Sequence, residues 1–186
     1  MPKLVYLMNT SLDGFVEGPD GKFDWSVPDE EVHRFHGEQL EQLGTLLYGR
    51  RIYETMKVWD TMGDDPSLPD FAREFARIWR SKPKVVFSTT LKSVGENARL
   101  VRDDVRDEVT RLKAESDGEL SVAGPGLASS LAGFGLIDEF RLVACPVVVG
   151  SGKSYFPKLD HALRLRHLET RTFRNGAVYL RYARVE

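Results

Sequence analysis

Four short, mostly apolar segments, each followed by a segment with helical spacing, constrain the fold of this chain most strongly. They are residues 4–8, 45–48, 84–88 and 120–123. Apolar runs of this length are typical of strands buried on both faces, as in parallel sheets covered by helices. Strands that alternate with helices build such sheets. The sequence therefore predicts an α/β fold with a mostly parallel central sheet flanked by helices.

Helical periodicity separates these strands. The acidic run 29–31 predicts a helix start, because acidic groups in the first turn favour the positive end of the helix dipole, and this helix extends to about Leu43. Residues 50–59 give a further helix with one apolar side. Apolar residues at helical spacing predict three more: Phe71, Phe75, Ile78 and Trp79; Val105, Val109 and Leu112; and Leu127, Leu131 and Phe134.

The end of the chain has a different pattern. A predicted strand over residues 139–149 precedes two segments, 163–173 and 177–185, that flank Asn175-Gly176. This pair is a strong hairpin signal, because both residues tolerate the positive φ of a type I′ turn. The predicted sheet thus ends in an antiparallel C-terminal hairpin. A length of 186 residues suits one domain over residues 1–186.

Charge and apolar content exclude several classes of partner. Lysine and arginine total 26 and aspartate and glutamate 28, so the chain has no excess charge of the kind that holds nucleic acid or an anionic membrane surface. No apolar stretch approaches the ~18 residues of a membrane-spanning helix, and the first apolar run stops at Asn9, too early for a signal peptide. We therefore expect a cytoplasmic protein without nucleic-acid or membrane partners.

Three strand ends carry residues suited to phosphate. Gly49 permits close backbone approach, and Arg50 and Arg51 supply paired donors. Residues 88–90 offer three hydroxyls, and residues 124–127 turn a strand directly into a helix. Because ligands of open sheets bind beyond the carboxyl ends of the strands, we expect these groups to converge. Taken singly, each is also explained as a helix cap, a solvated face or an ordinary strand end.

Four motifs, in this order, resemble a known superfamily. The chain is similar to the family that joins dihydrofolate reductase to the reductase domain of bacterial riboflavin biosynthesis. The resemblance implies a dihydrofolate-reductase-like sheet and an NADPH-dependent reductase that passes hydride to a pteridine-like or pyrimidine-like heterocycle. The motifs are Ser11-Leu12-Asp13-Gly14-Phe15, Gly49-Arg50-Arg51-Ile52-Tyr53-Glu54, Ala123-Gly124-Pro125-Gly126-Leu127, and the stretch from Gly135 to Gly152.

The same resemblance implies the cofactor site. Arg50 and Arg51 would face the 2′-phosphate of NADPH, which NADH lacks, so NADPH is the expected cofactor. Residues 124–127 would carry the pyrophosphate, and Trp25 would lie over the nicotinamide. The full implied set is Trp25, Gly49, Arg50, Arg51, Ser88, Thr89, Gly124, Pro125, Gly126 and Leu127.

The substrate side has fewer markers. Ser11, Phe15 and Asp24 are expected to border the substrate, and the chain has Val122 where riboflavin-type reductases commonly carry an acidic substrate contact. Hydride transfer to a C=N or C=O bond needs a proton source, for which we favour Asp13. An equally weighted alternative is that the Asp13 side chain bonds nearby backbone amides in a turn.

Residues 9–28 are predicted as one long loop, because glycine, aspartate and proline are frequent there. Ordered loops of this length are usually functional. The loop is interpreted either as a lid that orders over the cofactor or as a static cover.

Three further residues have mainly structural interpretations. His33 and His36 share a helix face, but no third ligand is near them in the sequence, so they are predicted to be solvated and no metal site is expected. Cys145 lies in an apolar run and is interpreted as a buried, inert thiol.

Two functions remain open at this point. The first is the NADPH-dependent reductase; the second is a non-catalytic NADP-binding or regulatory module that kept the fold but lost the proton donor. A homodimer is also expected from the resemblance, through the terminal hairpin, where Val178, Leu180 and Tyr182 alternate. These three side chains alternatively cover the core.

Overall fold

An eight-stranded sheet is the centre of the computed structural model, which describes residues 2–159 and 162–185. The strands are β1 Leu4–Ser11, β2 Phe15–Glu17, β3 Leu43–Gly49, β4 Lys84–Phe87, β5 Ala98–Val101, β6 Glu119–Ala123, β7 Glu139–Cys145, β8 Lys153–Ser154, β9 Leu165–Thr172 and β10 Val178–Arg184. The main sheet has the order β5-β4-β3-β6-β1-β7-β10-β9, and β2 pairs with β8 separately. The six neighbouring strands β5, β4, β3, β6, β1 and β7 are parallel, whereas β10 is antiparallel to both of its neighbours, β7 and β9. The predicted α/β fold with an antiparallel C-terminal hairpin is confirmed.

Helices cover both faces of this sheet. Leu40 and Trp79 pack with Leu46 in one apolar cluster, whereas Val109 and Leu131 belong to a cluster on the other face. The continuous apolar run that begins β1 follows from this arrangement: Leu4, Val5 and Tyr6 in the central strand are 0–1% exposed. The helices are α1 Glu30–Gln42, α2 Arg50–Met56, α3 Trp59–Met62, α4 Asp70–Ser81, α5 Val105–Glu115 and α6 Pro125–Gly133.

The segment over residues 9–28 differs from the predicted single loop. β1 continues to Ser11, because that part of the strand pairs with β7 as far as Cys145. β2 then pairs with β8, and a short 3₁₀ helix spans Asp24–Ser26. Two short paired stretches and the 3₁₀ helix thus interrupt the predicted loop, and the lid and the static cover remain alternative predictions.

β7 is shorter than predicted. It ends at Cys145 rather than at residue 149, because Pro146 has no N–H to continue the ladder.

Cys145 is only partly buried, and burial raises the pKa of its thiol, so the thiol is protonated at neutral pH. This agrees with an inert cysteine. The predicted helix over residues 50–59 is also shorter: α2 ends at Met56, and a separate helix, α3, begins at Trp59.

Candidate functional site

An open cavity of about 690 Å³ lies at the carboxyl-terminal edge of the sheet, where β1, β3 and β6 end. It continues beneath α1 along one face of the sheet, as far as Leu46 and Ser121, which are paired in register. Its size is within the ~300–1,000 Å³ of small-molecule and cofactor sites. Seven of the predicted cofactor residues line it: Gly49, Arg50, Arg51, Gly124, Pro125, Gly126 and Leu127.

The start of α6 forms the glycine-lined part of the cavity. Gly124 has a φ of +92°, and a Cβ atom there would lie 2.9 Å from Cγ2 of Ile52 in α2. Pro125 occupies the first turn of α6, where its missing N–H removes no helical hydrogen bond. The first N–H groups of a helix have no intrahelical partner and attract anions. Gly124 thus lets α2 and α6 begin side by side at the mouth of the cavity.

Two guanidiniums lie at the same mouth. Arg50 forms an ion pair with Glu54 at 3.4 Å, and Arg51 forms one with Glu17 at 3.4 Å. Both arginines are exposed, and ion pairs of this length in water contribute little. The guanidiniums therefore remain available to a ligand that offers planar, bidentate oxygen acceptors such as phosphate.

Lys153 is a third cation at the mouth, and sequence reasoning did not include it. Its Nζ atom lies 3.8 Å from the position that a Cβ atom would take on Gly126. The pairing of β8 with β2 holds it there, and a Cβ atom at Gly152 would overlap the carbonyl oxygen of Glu17, so only glycine permits this approach. The sequence feature that could have identified Lys153 was its position directly after the glycine-rich residues 150–152.

Asp13, the predicted proton donor, lies in a turn against residues 149–150. Its carboxylate accepts hydrogen bonds from the backbone N–H groups of Val149 at 3.2 Å and Gly150 at 2.8 Å. A hydrogen bond from the Ser11 hydroxyl and these two amides lower the pKa of Asp13, so it is ionised at neutral pH. It also lies outside the cavity lining. The structure therefore supports the alternative interpretation, in which Asp13 fixes a turn.

The other predicted residues of this segment also lie outside the lining. Ser11 is buried, and its Oγ accepts a hydrogen bond from the Phe15 N–H at 2.9 Å. Asp24 is exposed, and Trp25 follows it in the short 3₁₀ helix. The residues of this segment that do line the cavity are Asn9, Val16, Glu17, Phe23, Ser26, Val27 and Pro28.

Ser88 and Thr89 lie at the predicted edge but not in the cavity. They follow β4, whose last residue, Phe87, is paired with Gly49. Ser88 Oγ instead accepts hydrogen bonds from the N–H groups of Thr90 at 3.2 Å and Leu91 at 3.0 Å, which close the turn after the strand. The strand ends do meet at one edge of the sheet, but the hydroxyl oxygen of Ser88 accepts hydrogen bonds within its own turn.

Two histidines line the inner part of the cavity, contrary to the prediction that they are solvated. Nδ1 of His33 and Nε2 of His36 are buried without a hydrogen-bond partner among the described residues. Burial lowers the pKa of His33 and brings that of His36 to about 4, so both rings are uncharged at neutral pH. The sequence signal for this inward position was the helical spacing of both histidines from Leu40, which places them on the apolar side of α1.

Asn9, at the end of β1, adds an amide to the same interior. Its Nδ2 donates a hydrogen bond to the carbonyl oxygen of Ser26 at 3.0 Å, which fixes the orientation of the side chain. Its Oδ1 is buried without a hydrogen-bond partner among residues 2–159 and 162–185. Val122, by contrast, is fully buried in the core on the opposite face of the sheet and does not line the cavity.

Within the described part of the chain, no three histidine, cysteine, aspartate or glutamate side chains are grouped as metal ligands. None of the described helices combines the length and the apolar character that crossing a bilayer requires.

Known proteins resemble this chain in sequence and in fold. The Bacillus subtilis (strain 168) "Uncharacterized protein YyaP" is 32% identical over 181 residues, which is 97% of this chain and 94% of that protein. A crystal structure of a putative riboflavin biosynthesis protein from Shewanella sp. PV-4 has a TM-score of 0.74 at 24% identity and covers 99% of both chains. Dihydrofolate reductase from Enterococcus faecalis, complexed with NADP(H), has a TM-score of 0.66 at 17% identity, over 99% of this chain and 97% of that one.

The family match is as extensive as these individual likenesses. The pattern of the RibD C-terminal domain matches residues 2–179, and so includes the glycine-lined start of α6, the two arginines of α2 and Lys153. The structural likenesses to the riboflavin-type protein and to dihydrofolate reductase support the same fold. The chain therefore belongs to the RibD C-terminal domain family.

Proposed function

We propose that this protein is an NADPH-dependent reductase that transfers hydride to a heterocyclic small molecule. The observation that carries the proposal is that one cavity joins two unlike regions, a cationic, glycine-lined mouth and a mostly apolar interior. A phosphorylated dinucleotide needs the first region and a ring substrate the second. Hydride transfer requires donor and acceptor in contact, which a shared cavity provides. The family and the fold both relate to reductases.

The residues at the mouth fit NADPH. Arg50 and Arg51 would hold the 2′-phosphate, and the start of α6 at residues 124–127 would hold the pyrophosphate, with Lys153 as an additional positive charge. Gly124 has a positive φ and no room for a Cβ atom beside Ile52, so glycine at this position lets α2 and α6 begin side by side at the proposed cofactor site. When bound, NADPH would supply the hydride that reduces a C=N or C=O bond of the substrate, which also takes up one proton.

The proton comes from solvent in this proposal. Among the described residues that line the cavity, Glu17 is the one carboxylate, and it is ion-paired with Arg51. Asp13 lies outside the lining and is ionised. The interior residues position the ring and limit the access of water, while the open mouth admits the proton donor.

Cofactor binding tests the proposal. NADPH and NADH are titrated against the purified protein, with the change in nucleotide fluorescence as the readout. We expect NADPH to bind more tightly than NADH, and Arg51→Ala to weaken NADPH binding about tenfold while leaving NADH unaffected, since a charge-assisted contact to the 2′-phosphate is lost. Arg77→Ala, on the exposed side of α4 and paired with Glu74, is the matched control. Equal binding of both nucleotides by the wild type contradicts the cofactor assignment.

A non-catalytic NADP-binding module is the second candidate. It is favoured by the position of Asp13 outside the cavity, since no other described carboxylic acid there is free of an ion pair. The reductase and the module are distinguished by following NADPH oxidation, through its absorbance, in the presence of a series of candidate heterocycles. Oxidation above the buffer rate supports the reductase. Tight NADPH binding without oxidation by dihydrofolate, by the riboflavin pyrimidine precursor or by uncharged rings such as quinones and quinoxaline supports the module.

A further inference from the structure

The charged residues of the cavity are confined to its mouth. Among the described lining residues they are Glu17, Arg50, Arg51 and Lys153, which belong to β2, the first turn of α2, and β8. Each arginine has a carboxylate partner, and the proposed function uses all three cations for the phosphates of the cofactor. None of these charges is left to pair with a substrate in the interior.

The interior has aromatic walls. Among the lining residues, the ring of His33 packs edge-on against Phe75, with ring centroids 5.0 Å apart, and against Trp59 at 5.6 Å. Tyr48 of β3 also lines the cavity, and its hydroxyl oxygen accepts a hydrogen bond from Nε1 of Trp79 at 3.1 Å. Flat surfaces of this kind favour a planar ring. The aromatic and imidazole rings that line this interior are those of His33, His36, Tyr48, Trp59 and Phe75.

The polar groups of the interior are uncharged. They are the amide of Asn9, the hydroxyls of Tyr48 and Ser121 and the two imidazoles. Nε2 of His36, Nδ1 of His33 and Oδ1 of Asn9 are buried without a partner among the described residues. Buried polar atoms without partners are costly, so these three atoms mark where a ligand gains hydrogen bonds.

We propose that the substrate is an uncharged, planar aromatic ring whose heteroatoms pair with His36 and Asn9. This inference rests on the proposed reductase function and specifies the chemical class of its substrate. A carboxylate, a phosphate or a quaternary nitrogen on the ring would lose its water without gaining an opposite charge, and the cost of that transfer disfavours it. The lowered pKa of both histidines supports this, because neither ring offers a positive charge at neutral pH.

Matched ring compounds test the charge preference. Quinoxaline is compared with quinoxaline-2-carboxylate and N-methylquinoxalinium, with and without NADPH, by the quenching of tryptophan fluorescence, since Trp59 lines the cavity. We expect quinoxaline to bind at least about tenfold more tightly than either charged analogue. Tighter or equal binding of a charged analogue, or no binding of quinoxaline, overturns the inference.

A substitution tests the assigned contact. His36→Phe keeps an aromatic ring of similar size and removes both nitrogens, so it is expected to weaken quinoxaline binding roughly three- to tenfold and to leave naphthalene, which has no heteroatom, unchanged. His167→Phe, on the exposed surface of β9, is the control and is expected to change neither. Circular dichroism establishes that each variant is folded. An equal loss for both rings, or no loss for quinoxaline, contradicts the His36 contact.

The same titrations separate the two proposals. NADPH binding is recorded independently of the ring compounds. If quinoxaline binds and NADPH does not, the reductase assignment fails, whereas NADPH binding together with a preference for a charged ring overturns the substrate class alone.

Discussion

At the scale of single residues, the mouth of the cavity depends on Gly124 at the start of α6. Its φ of +92° is in the region that L side chains rarely adopt, and the nearest side-chain atom to a built Cβ is only 2.9 Å away. Backbone conformation and close packing therefore both demand glycine here. The charged residues around it are exposed and tolerate substitution far more easily.

Replacement of this glycine is predicted to affect stability and binding together. Gly124→Ala adds positive-φ strain of about 1–3 kcal/mol and displaces Ile52, so we expect a lower midpoint in urea unfolding and weaker NADPH binding. Gly37→Ala, inside α1 where a Cβ meets nothing within 4 Å, is the control. It is expected to stabilise by roughly 0.5–1 kcal/mol, because alanine loses less backbone entropy in a helix. Equal effects of the two changes would argue against the special role of Gly124.

At the scale of elements, β7 is fixed to its neighbours by a buried ion cluster. Arg141 donates to Glu139 at 2.8 Å and to Glu119 of β6 at 2.8 Å, and Arg181 of β10 donates to Glu139 at 2.8 Å. Lys3, before β1, pairs with the same Glu139. Burial alone would raise the pKa of Glu139, but the hydrogen bonds from the three cations outweigh it and lower the pKa to about 2.

This cluster predicts a pH dependence of stability. Because the pKa of Glu139 falls from 4.5 to about 2 on folding, its contribution is complete above pH 4.5 and is lost as the pH falls towards 2. Glu139→Gln is expected to lower the free energy of unfolding at pH 7 by about 2–3 kcal/mol, less than for a fully enclosed pair, since Lys3 and Arg181 are partly exposed. The variant is also expected to lose less stability than the wild type between pH 4.5 and 2.

Urea unfolding at a series of pH values measures both effects. Glu30→Gln, which removes an exposed ion pair with Arg34 on α1, is the control and is expected to change stability by less than about 0.5 kcal/mol. Parallel pH profiles for the wild type and Glu139→Gln would disprove the assignment of the acid sensitivity to Glu139.

At the scale of the whole molecule, the order of the strands decides where the cavity lies. β1, β3 and β6 are adjacent, so Asn9, Gly49 and Gly124 meet at one edge although they are far apart in sequence. The C-terminal hairpin, β9 and β10, forms the lateral edge of the sheet beyond β7. Tyr179 there is fully buried against α1 residues, whereas Val178 and Leu180, on the alternate positions of β10, are partly buried.

A homodimer through this hairpin remains a prediction. If Val178, Leu180 and Tyr182 face a partner copy, light scattering will give twice the 21.1 kDa mass of the chain. Leu180→Arg is then expected to give the monomer mass, because it places a charge in an apolar contact. Gln42→Arg, at the exposed end of α1, is the control and should leave the mass unchanged. A monomeric wild type would show that these side chains serve only the fold.

The sequence by itself determined the α/β architecture, the terminal hairpin and the glycine-lined turn at residues 124–127. These depend on local patterns, since apolar runs, helical spacing and turn residues act over a few neighbouring positions. The same local reasoning placed Arg50 and Arg51 at the start of a helix, where the structure has them.

Only the tertiary structure decided which polar side chains face the cavity. His33 and His36 line it because α1 packs over the sheet with their side inward, and Lys153 reaches it because β8 pairs with β2. Asp13 and Ser88 are instead held by nearby backbone amides. The physical reason is that the orientation of a side chain depends on packing between elements distant in sequence, whereas the existence of each element depends on its own residues.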